Sequence, residues 1–223
     1  MRDWYIVTGM SSTAPDPNAL IVRLATPADA PAIAALHMHA FTPAASDLSP
    51  LGPAVVRLFY TNVLERDLAR AVVGLDAGGA LLGFGLITRD ISAMFTGALL
   101  SGPRDIARFL LSVSPAGFAR ALWTKLASGT AQVGSVPEFV YLAVSATARG
   151  RGVGETVMRA GHEEFRRMGI PSFELNVHVD NEPGVKLYLA LGYRVRRRYR
   201  KGGRDMYNML RTADPLTGEP LTR

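Results

Sequence analysis

Between an apolar run at Phe139 to Val144 and an amphipathic helix, the chain reads Arg149-Gly150-Arg151-Gly152-Val153-Gly154. Three glycines at a strand-to-helix junction restrict the fold more than any other stretch. Glycine takes left-handed backbone angles at little cost and lets a ligand come close to the main chain. The first turn of the following helix leaves N–H groups unpaired at the positive end of the helix dipole. The junction is therefore either a tight connection or an anion site suited to a phosphate or pyrophosphate. Arg149 and Arg151 add positive charge at its rim.

The flanks extend the pattern. Val157, Met158, Gly161, Phe165 and Met168 mark one buried helical face, which Gly169 and Pro171 end. Phe173, Leu175, Val177 and Val179 alternate with Glu174, Asn176 and His178, predicting a second strand. Asn181 caps a short helix through Leu191, and Gly192 stops it. A P-loop is excluded, because the turn continues Gly154-Glu155-Thr156 without the required lysine. A dinucleotide fingerprint shares the spacing of Gly150 and Gly152, with Asp180 placed as its ribose-binding acid. However, Glu155 replaces its third glycine, and too little chain follows for a doubly wound sheet.

These residues resemble the GNAT superfamily of acyl-CoA N-acyltransferases. The acyl-CoA loop of that family has the form Arg/Gln-x-x-Gly-x-Gly/Ala, which Arg149 to Gly154 match throughout. Asn181, Leu187-Tyr188 and Leu191-Gly192-Tyr193 match the family's following helix, and Glu138 matches its glutamate ahead of the loop. The resemblance runs from about Ile21 to Arg211. It implies an α/β (α+β) fold with a mixed, mainly antiparallel twisted sheet flanked by helices. It also implies acyl transfer from acetyl-CoA, or another acyl-CoA, to a primary amine of a small molecule, by direct attack.

The family's cofactor contacts carry over to the backbone of Leu142, Ala143 and Val144, and to Arg149, Gly150, Arg151, Gly152, Val153, Gly154 and Glu155. Asn181 and Tyr188 complete that set, with the N–H of Val144 polarising the thioester carbonyl. Such a reaction needs a neutral amine, an oxyanion stabiliser and a proton for the leaving thiolate. The resemblance makes Tyr188 the acid, since a phenol of pKa ~10 is protonated at neutral pH. It makes Glu138 the base, directly or through water. On spacing alone Tyr188 reads as packing its ring in the short helix, and Glu138 could equally be a strand-edge charge facing solvent. The alternative function is a non-catalytic module binding a CoA thioester or nucleic acid.

Composition narrows the choice. The 223 residues suffice for one core, and the absence of cysteine excludes disulfides, thiolate metal sites and a cysteine nucleophile. His37 and His39 lie two apart on a helix and do not share a face. With His162 and His178 they read as ordinary surface or boundary histidines, and no metal is expected. Net charge is +6, with the excess late in the chain at Arg194, Arg196, Arg197, Arg198, Arg200, Lys201 and Arg204. That balance agrees with an anionic cosubstrate. Nucleic acid is not the expected partner, because zinc-finger, RNP and helix-turn-helix signatures are missing. The first twenty residues lack the features of a signal peptide, and no apolar run approaches the ~18 residues that span a bilayer. A cytoplasmic protein without membrane association is expected.

The remaining elements follow in order. Ile21 to Leu24 forms a strand, and Thr26-Pro27-Ala28-Asp29 a capping box opening a helix with Ile33, Leu36, Ala40 and Phe41 inward. Ala54 to about Leu64 forms a second helix carrying Val55, Phe59, Tyr60 and Val63. Strands at Ala71 to Leu75 and Leu81 to Thr88 join through Asp76-Ala77-Gly78-Gly79. Gly83 and Gly85 mark a bulge or close backbone approach. A segment over 89–136 reads as a helical insert: a short turn near Met94 to Leu100, then helices marked by Ile106, Phe109, Leu110 and Val113 and by Phe118, Leu122, Trp123 and Leu126. The insert walls the acceptor site, caps the core or forms a homodimer contact. Tyr193 to Arg200 and Asp205 to Arg211 close the fold as an antiparallel pair. The domain is expected over 21–211, between a flexible lead-in at 1–20 and a tail at 212–223.

Overall fold

In the computed structural model, which describes residues 5–6, 19–42, 45–100, 102–113, 136–213 and 220, eight strands form one sheet. They are β1 (Tyr5–Ile6), β2 (Ile21–Leu24), β3 (Arg70–Leu75), β4 (Leu81–Thr88), β5 (Glu138–Val144), β6 (Ser172–His178), β7 (Arg194–Lys201) and β8 (Arg204–Thr212). Their order is β1-β2-β3-β4-β5-β6-β8-β7. Neighbours run antiparallel except β5 and β6, which are parallel. The helices are α1 (Ala30–Ala40), α2 (Pro53–Glu65), α3 (Ile91–Leu99), α4 (Pro103–Ser112), α5 (Val153–Arg167) and α6 (Glu182–Ala190). Among the described residues no helix is long and apolar enough to cross a membrane.

Local chemistry sets the turns. Thr26 donates its backbone N–H to the Asp29 carboxylate at 2.7 Å, which opens the turn into α1. Asp76 accepts the Ala80 N–H at 2.8 Å, closing the β3–β4 hairpin. The β7–β8 turn is Gly202-Gly203 alone, with both φ angles positive, the form that suits the twist of flanking strands. Lys201 and Arg204, expected within that turn, are instead paired across the ends of the strands.

The two faces of the sheet are covered differently. Val55, Val56, Phe59, Tyr60 and Val63 of α2 pack with Ile33 of α1 and with Phe84 and Leu86 of β4. On the other face Met158 and Phe165 of α5 pack with Phe139, Phe173 and Leu175. Burying each such side chain contributes ~1.5–3 kcal/mol, so these two clusters carry most of the fold. Glu164 on α5 and Glu174 on β6 are buried as well, although β6 was expected to turn Glu174 outward. Glu174 tolerates burial because Arg196 and Asn208 both donate to its carboxylate.

Strand β5 changes phase midway. Ile87 of β4 pairs with Phe139 and Leu86 with Tyr141, leaving Val140 as an extra residue. As a result Phe139 packs on the α5 side while Tyr141 packs on the α1 side, despite their two-residue spacing. The Phe139 ring also explains two glycines. A Cβ on Gly85 or on Gly161 would lie 2.6 Å from it. The close approach expected at Gly85 is therefore real, and the ring is its cause.

Within the insert, the turn expected near Met94 is the nine-residue helix α3, and α4 carries the Ile106 spacing. Both pack on α2: Asn62 donates to the Ala98 carbonyl at 2.6 Å, and Arg66 pairs with Asp105 at 2.8 Å. The expected second insert helix, at Phe118 to Leu126, lies outside the described residues.

Candidate active site

Parallel strands β5 and β6 pair at a single register position, Glu138 opposite Glu174. The Glu174 N–H donates to the Pro137 carbonyl at 2.9 Å, and beyond that point the strands part. Leu142, Ala143 and Val144 keep β4 as a neighbour on one side and have no ladder to β6 on the other. Their backbone groups line an opening in the middle of the sheet. An unpaired strand edge is available to an extended ligand carrying amide groups.

The glycine turn meets the end of this opening. Gly150 and Gly152 have φ of 74° and 76°, and a Cβ on either would meet nothing within 4 Å. Gly152 is the N-cap of α5 and offers no side chain, so no cap covers the first-turn N–H groups of Val153, Gly154 and Glu155. Arg149 and Arg151 are exposed beside it. The space, the donors and the charge fit a pyrophosphate. Glu155 faces its own helix, bonded to Arg159 at 2.9 Å.

Helix α6 closes the far bank. A Cβ on Gly154 would lie 3.4 Å from Val144 and 3.8 Å from Leu187, so turn, strand end and α6 converge. Asn181 starts α6 by accepting the Gly184 N–H at 3.2 Å. Tyr188, on the same helix, packs into the apolar cluster that includes Leu142, with its ring 5.8 Å from that of Tyr193. Burial pushes its phenol up to about 12. No described residue hydrogen-bonds its hydroxyl.

On the opposite face of the sheet lies a polar network. Asn176 donates to the Glu138 carboxylate at 3.0 Å, while its own oxygen accepts from Tyr199 at 2.9 Å and Asn208 at 3.2 Å. Two donors on that oxygen fix which end of the amide points at Glu138. Burial raises the Glu138 carboxyl above its ordinary range, partly offset by the Asn176 bond and by Lys201. Opposite, Lys201 of β7 pairs with Asp47 at 2.5 Å. Asp47 follows Ser46, whose hydroxyl is 3.0 Å from His37.

His37 overturns the expectation of a surface or boundary histidine. It is fully buried, with Tyr60 at 2.8 Å on one ring nitrogen and Ser46 and Ser49 on the other. Burial drives its pKa down to about 3, so it is neutral. A histidine can be interior when both nitrogens find hydroxyl partners. His162 keeps the boundary position expected of it, partly buried with one ring nitrogen 3.0 Å from the Tyr193 hydroxyl.

Comparison with known proteins decides the family. The Acetyltransferase (GNAT) family pattern matches residues 39–193. This chain belongs to the GNAT acetyltransferase family.

Its relatives include mycothiol acetyltransferases. That of Renibacterium salmoninarum is 31% identical over 90 residues, covering 40% of this chain and 27% of the relative. That of Salinispora arenicola is 38% identical over 93 residues, covering 40% of this chain and 29% of the relative. The match therefore spans less than a third of either relative's length. Among solved structures, an N-acetyltransferase from Staphylococcus aureus Mu50 aligns over 86% of this chain and 98% of its own, at 17% identity and a TM-score of 0.57. The protein yncA of Salmonella typhimurium, solved with its cofactor acetyl-CoA, aligns over 87% and 94% at 17% identity and a TM-score of 0.56. The mixed, mainly antiparallel sheet flanked by helices is thus the GNAT fold.

Within this GNAT domain the structure adds Asp47, Asn176, Tyr199 and Lys201 around Glu138, none of which the sequence reading selects. Asn176 carried a signal, being a polar position on the same β6 face as Glu174. Tyr199 and Lys201 sit inside an arginine run that masks them, and Asp47 lies in a loop far away in sequence. Among the described residues no cluster of three metal-binding side chains occurs.

Proposed function

We propose that this protein transfers an acyl group, acetyl in the simplest case, from acyl-CoA to a primary amine of a small molecule in the cytoplasm. The observation that carries the proposal is the parting of β5 from β6 beyond Glu138, which leaves an opening that ends at the glycine turn. The pyrophosphate is held by the turn and the start of α5, and the pantetheine arm by the backbone of Leu142, Ala143 and Val144. The acceptor amine enters from the opposite face, where Glu138 takes its proton directly or through water. The amine nitrogen bonds to the carbonyl carbon, the carbon–sulfur bond breaks, and Tyr188 gives its proton to the departing thiolate. A phenol raised by burial stays protonated at neutral pH, and a carboxyl raised by burial is a stronger base, so each shift suits its role.

The basic terminal hairpin supports this reading over a polyanion-binding module. Arg196, Arg198, Lys201 and Arg204 each meet a carboxylate, which leaves less positive charge for an outside polymer. The mycothiol acetyltransferase relatives support a small-molecule acceptor. The test incubates the protein with acetyl-CoA and a panel of primary amines while following thiol release. Release that requires an amine supports the enzyme. Acetyl-CoA binding by calorimetry without release from any amine supports the module.

A further inference from the structure

Lys201 ends β7 on the strand face that also carries Tyr199. The Tyr199 hydroxyl donates to Asn176, and Asn176 donates to Glu138, at 2.9 and 3.0 Å. Two hydrogen bonds thus tie the strand bearing Lys201 to the proposed base. From the other bank of the mouth, Asp47 takes the Lys201 ammonium at 2.5 Å. Both charges are felt at the Glu138 carboxyl, Lys201 lowering its pKa and Asp47 raising it.

A surface ion pair alone explains little here. The two side chains are 42% and 59% exposed, and pairs of that kind contribute ~0–1 kcal/mol. Asp47 therefore guides the ammonium without locking it, and the flexible stem lets the nitrogen move. Lysine also differs in kind from its neighbours on the strand. Arg194, Arg196, Arg197, Arg198 and Arg200 carry guanidinium groups that stay protonated, whereas a lysine nitrogen becomes a nucleophile on losing one proton.

Building on the proposed acyl-CoA reaction, we infer that Lys201 is an acceptor within the protein itself, so that the chain acylates its own Lys201 in cis. The ammonium yields a proton to Glu138 and the nitrogen bonds to the thioester carbonyl carbon. The carbon–sulfur bond then breaks, the thiolate takes the Tyr188 proton to leave as free CoA, and the second proton shed by the nitrogen passes through water to restore the Tyr188 phenol. The products are an amide on Lys201 and a thiol. The amide is neutral, so the Asp47 ion pair is lost and the hairpin tip is released from the loop after α1.

The experiment incubates the full chain with acetyl-CoA and no added amine, then maps acylated lysines by mass spectrometry. Lys186, whose side chain is 79% exposed on α6, reports uncatalysed acylation. Tied to the proposed base through Tyr199 and Asn176, the strand end that carries Lys201 should let it react at least about tenfold faster than Lys186, at a rate independent of protein concentration. Tyr188→Phe and Glu138→Gln should abolish the difference. Lys201→Arg keeps a cation for Asp47, and should end the modification. If external amines are acylated but Lys201 reacts no faster than Lys186, this inference falls and the proposed function stands. A rate proportional to protein concentration overturns transfer in cis. If neither Lys201 nor any amine is acylated, both ideas fall together.

Discussion

Glu138 and Glu174 stand side by side at the one register where β5 and β6 pair, yet their carboxylates are held in different ways. Glu174 is buried and bonded to Arg196 and Asn208. Glu138 takes one bond, from Asn176, on one oxygen. A carboxylate saturated by donors is structural, whereas one with a spare oxygen at an opening can accept a proton. The network thus separates two neighbouring glutamates into a prop and the proposed base.

The first expectation concerns pH. The base must be ionised, and burial lifts its pKa, so activity should fall on acidification at a pH above the ordinary carboxylate range. Glu138→Gln should erase that acidic limb. Asn176→Ala removes a bond that favours the ionised form, and should move the limb to still higher pH. Profiles of kcat/KM that superimpose for all three proteins would reject Glu138 as the base.

Tyr188→Phe keeps the ring in its cluster and deletes only the hydroxyl. Turnover should drop by ~10²-fold, with acetyl-CoA affinity nearly unchanged. A single-turnover rate equal to that of the parent would leave Tyr188 a packing residue.

Gly152 sits at a φ of 76° with open space where a side chain would go. Gly152→Val fills that space and strains the turn. Acetyl-CoA affinity should fall by at least tenfold, about 1.4 kcal/mol. Calorimetry on the folded variant decides, and an undiminished affinity removes the turn from the cosubstrate site.

Gly161→Ala drives a methyl against the Phe139 ring, at 2.6 Å before relaxation. Overpacking of this kind costs ~1–3 kcal/mol, seen as a lower urea midpoint. Phe139→Leu in the same chain should recover part of the loss, since the two changes share one space. Additive losses would place the strain elsewhere.

Acid should weaken the fold through His37 and His162. Burial holds each near a pKa of about 3, against 6.5 ordinarily. The unfolded chain therefore binds protons first, so stability is complete above pH 6.5 and declines as pH falls from there toward 3. The full effect is on the order of a few kcal/mol per histidine. Urea midpoints of His37→Phe should be lower at neutral pH but flatter across this window than those of the parent. Equal slopes would show that His37 does not set the acid response.

The order of elements was legible because most signals were local. Glycines ended helices, Asn181 capped α6, and alternation marked β6 from Phe173 to Val177. The loop match likewise needed only adjacent residues. What sequence could not carry was contact between distant segments. His37 became interior through hydroxyls on Ser46, Ser49 and Tyr60, whose meeting depends on the packing of α1 with α2. Asp47 and Lys201 are 154 residues apart and meet only once the sheet is assembled. The bulge was equally hidden, because an unbroken apolar run from Phe139 to Val144 shows no alternation to interrupt.

The extra residue at Val140 acts as a half-period delay written into β5. Residues after it keep step with β4, and those before it are turned over, which brings Glu138 and Tyr141 to one face although three positions separate them. Were Val140 to take its own place in the ladder, the strand would pair more regularly and turn Glu138 to the α5 face, away from Asn176. Deleting Val140 would instead remove the delay and its consequence together, since Glu138 would then stand two positions from Tyr141 and keep its present face.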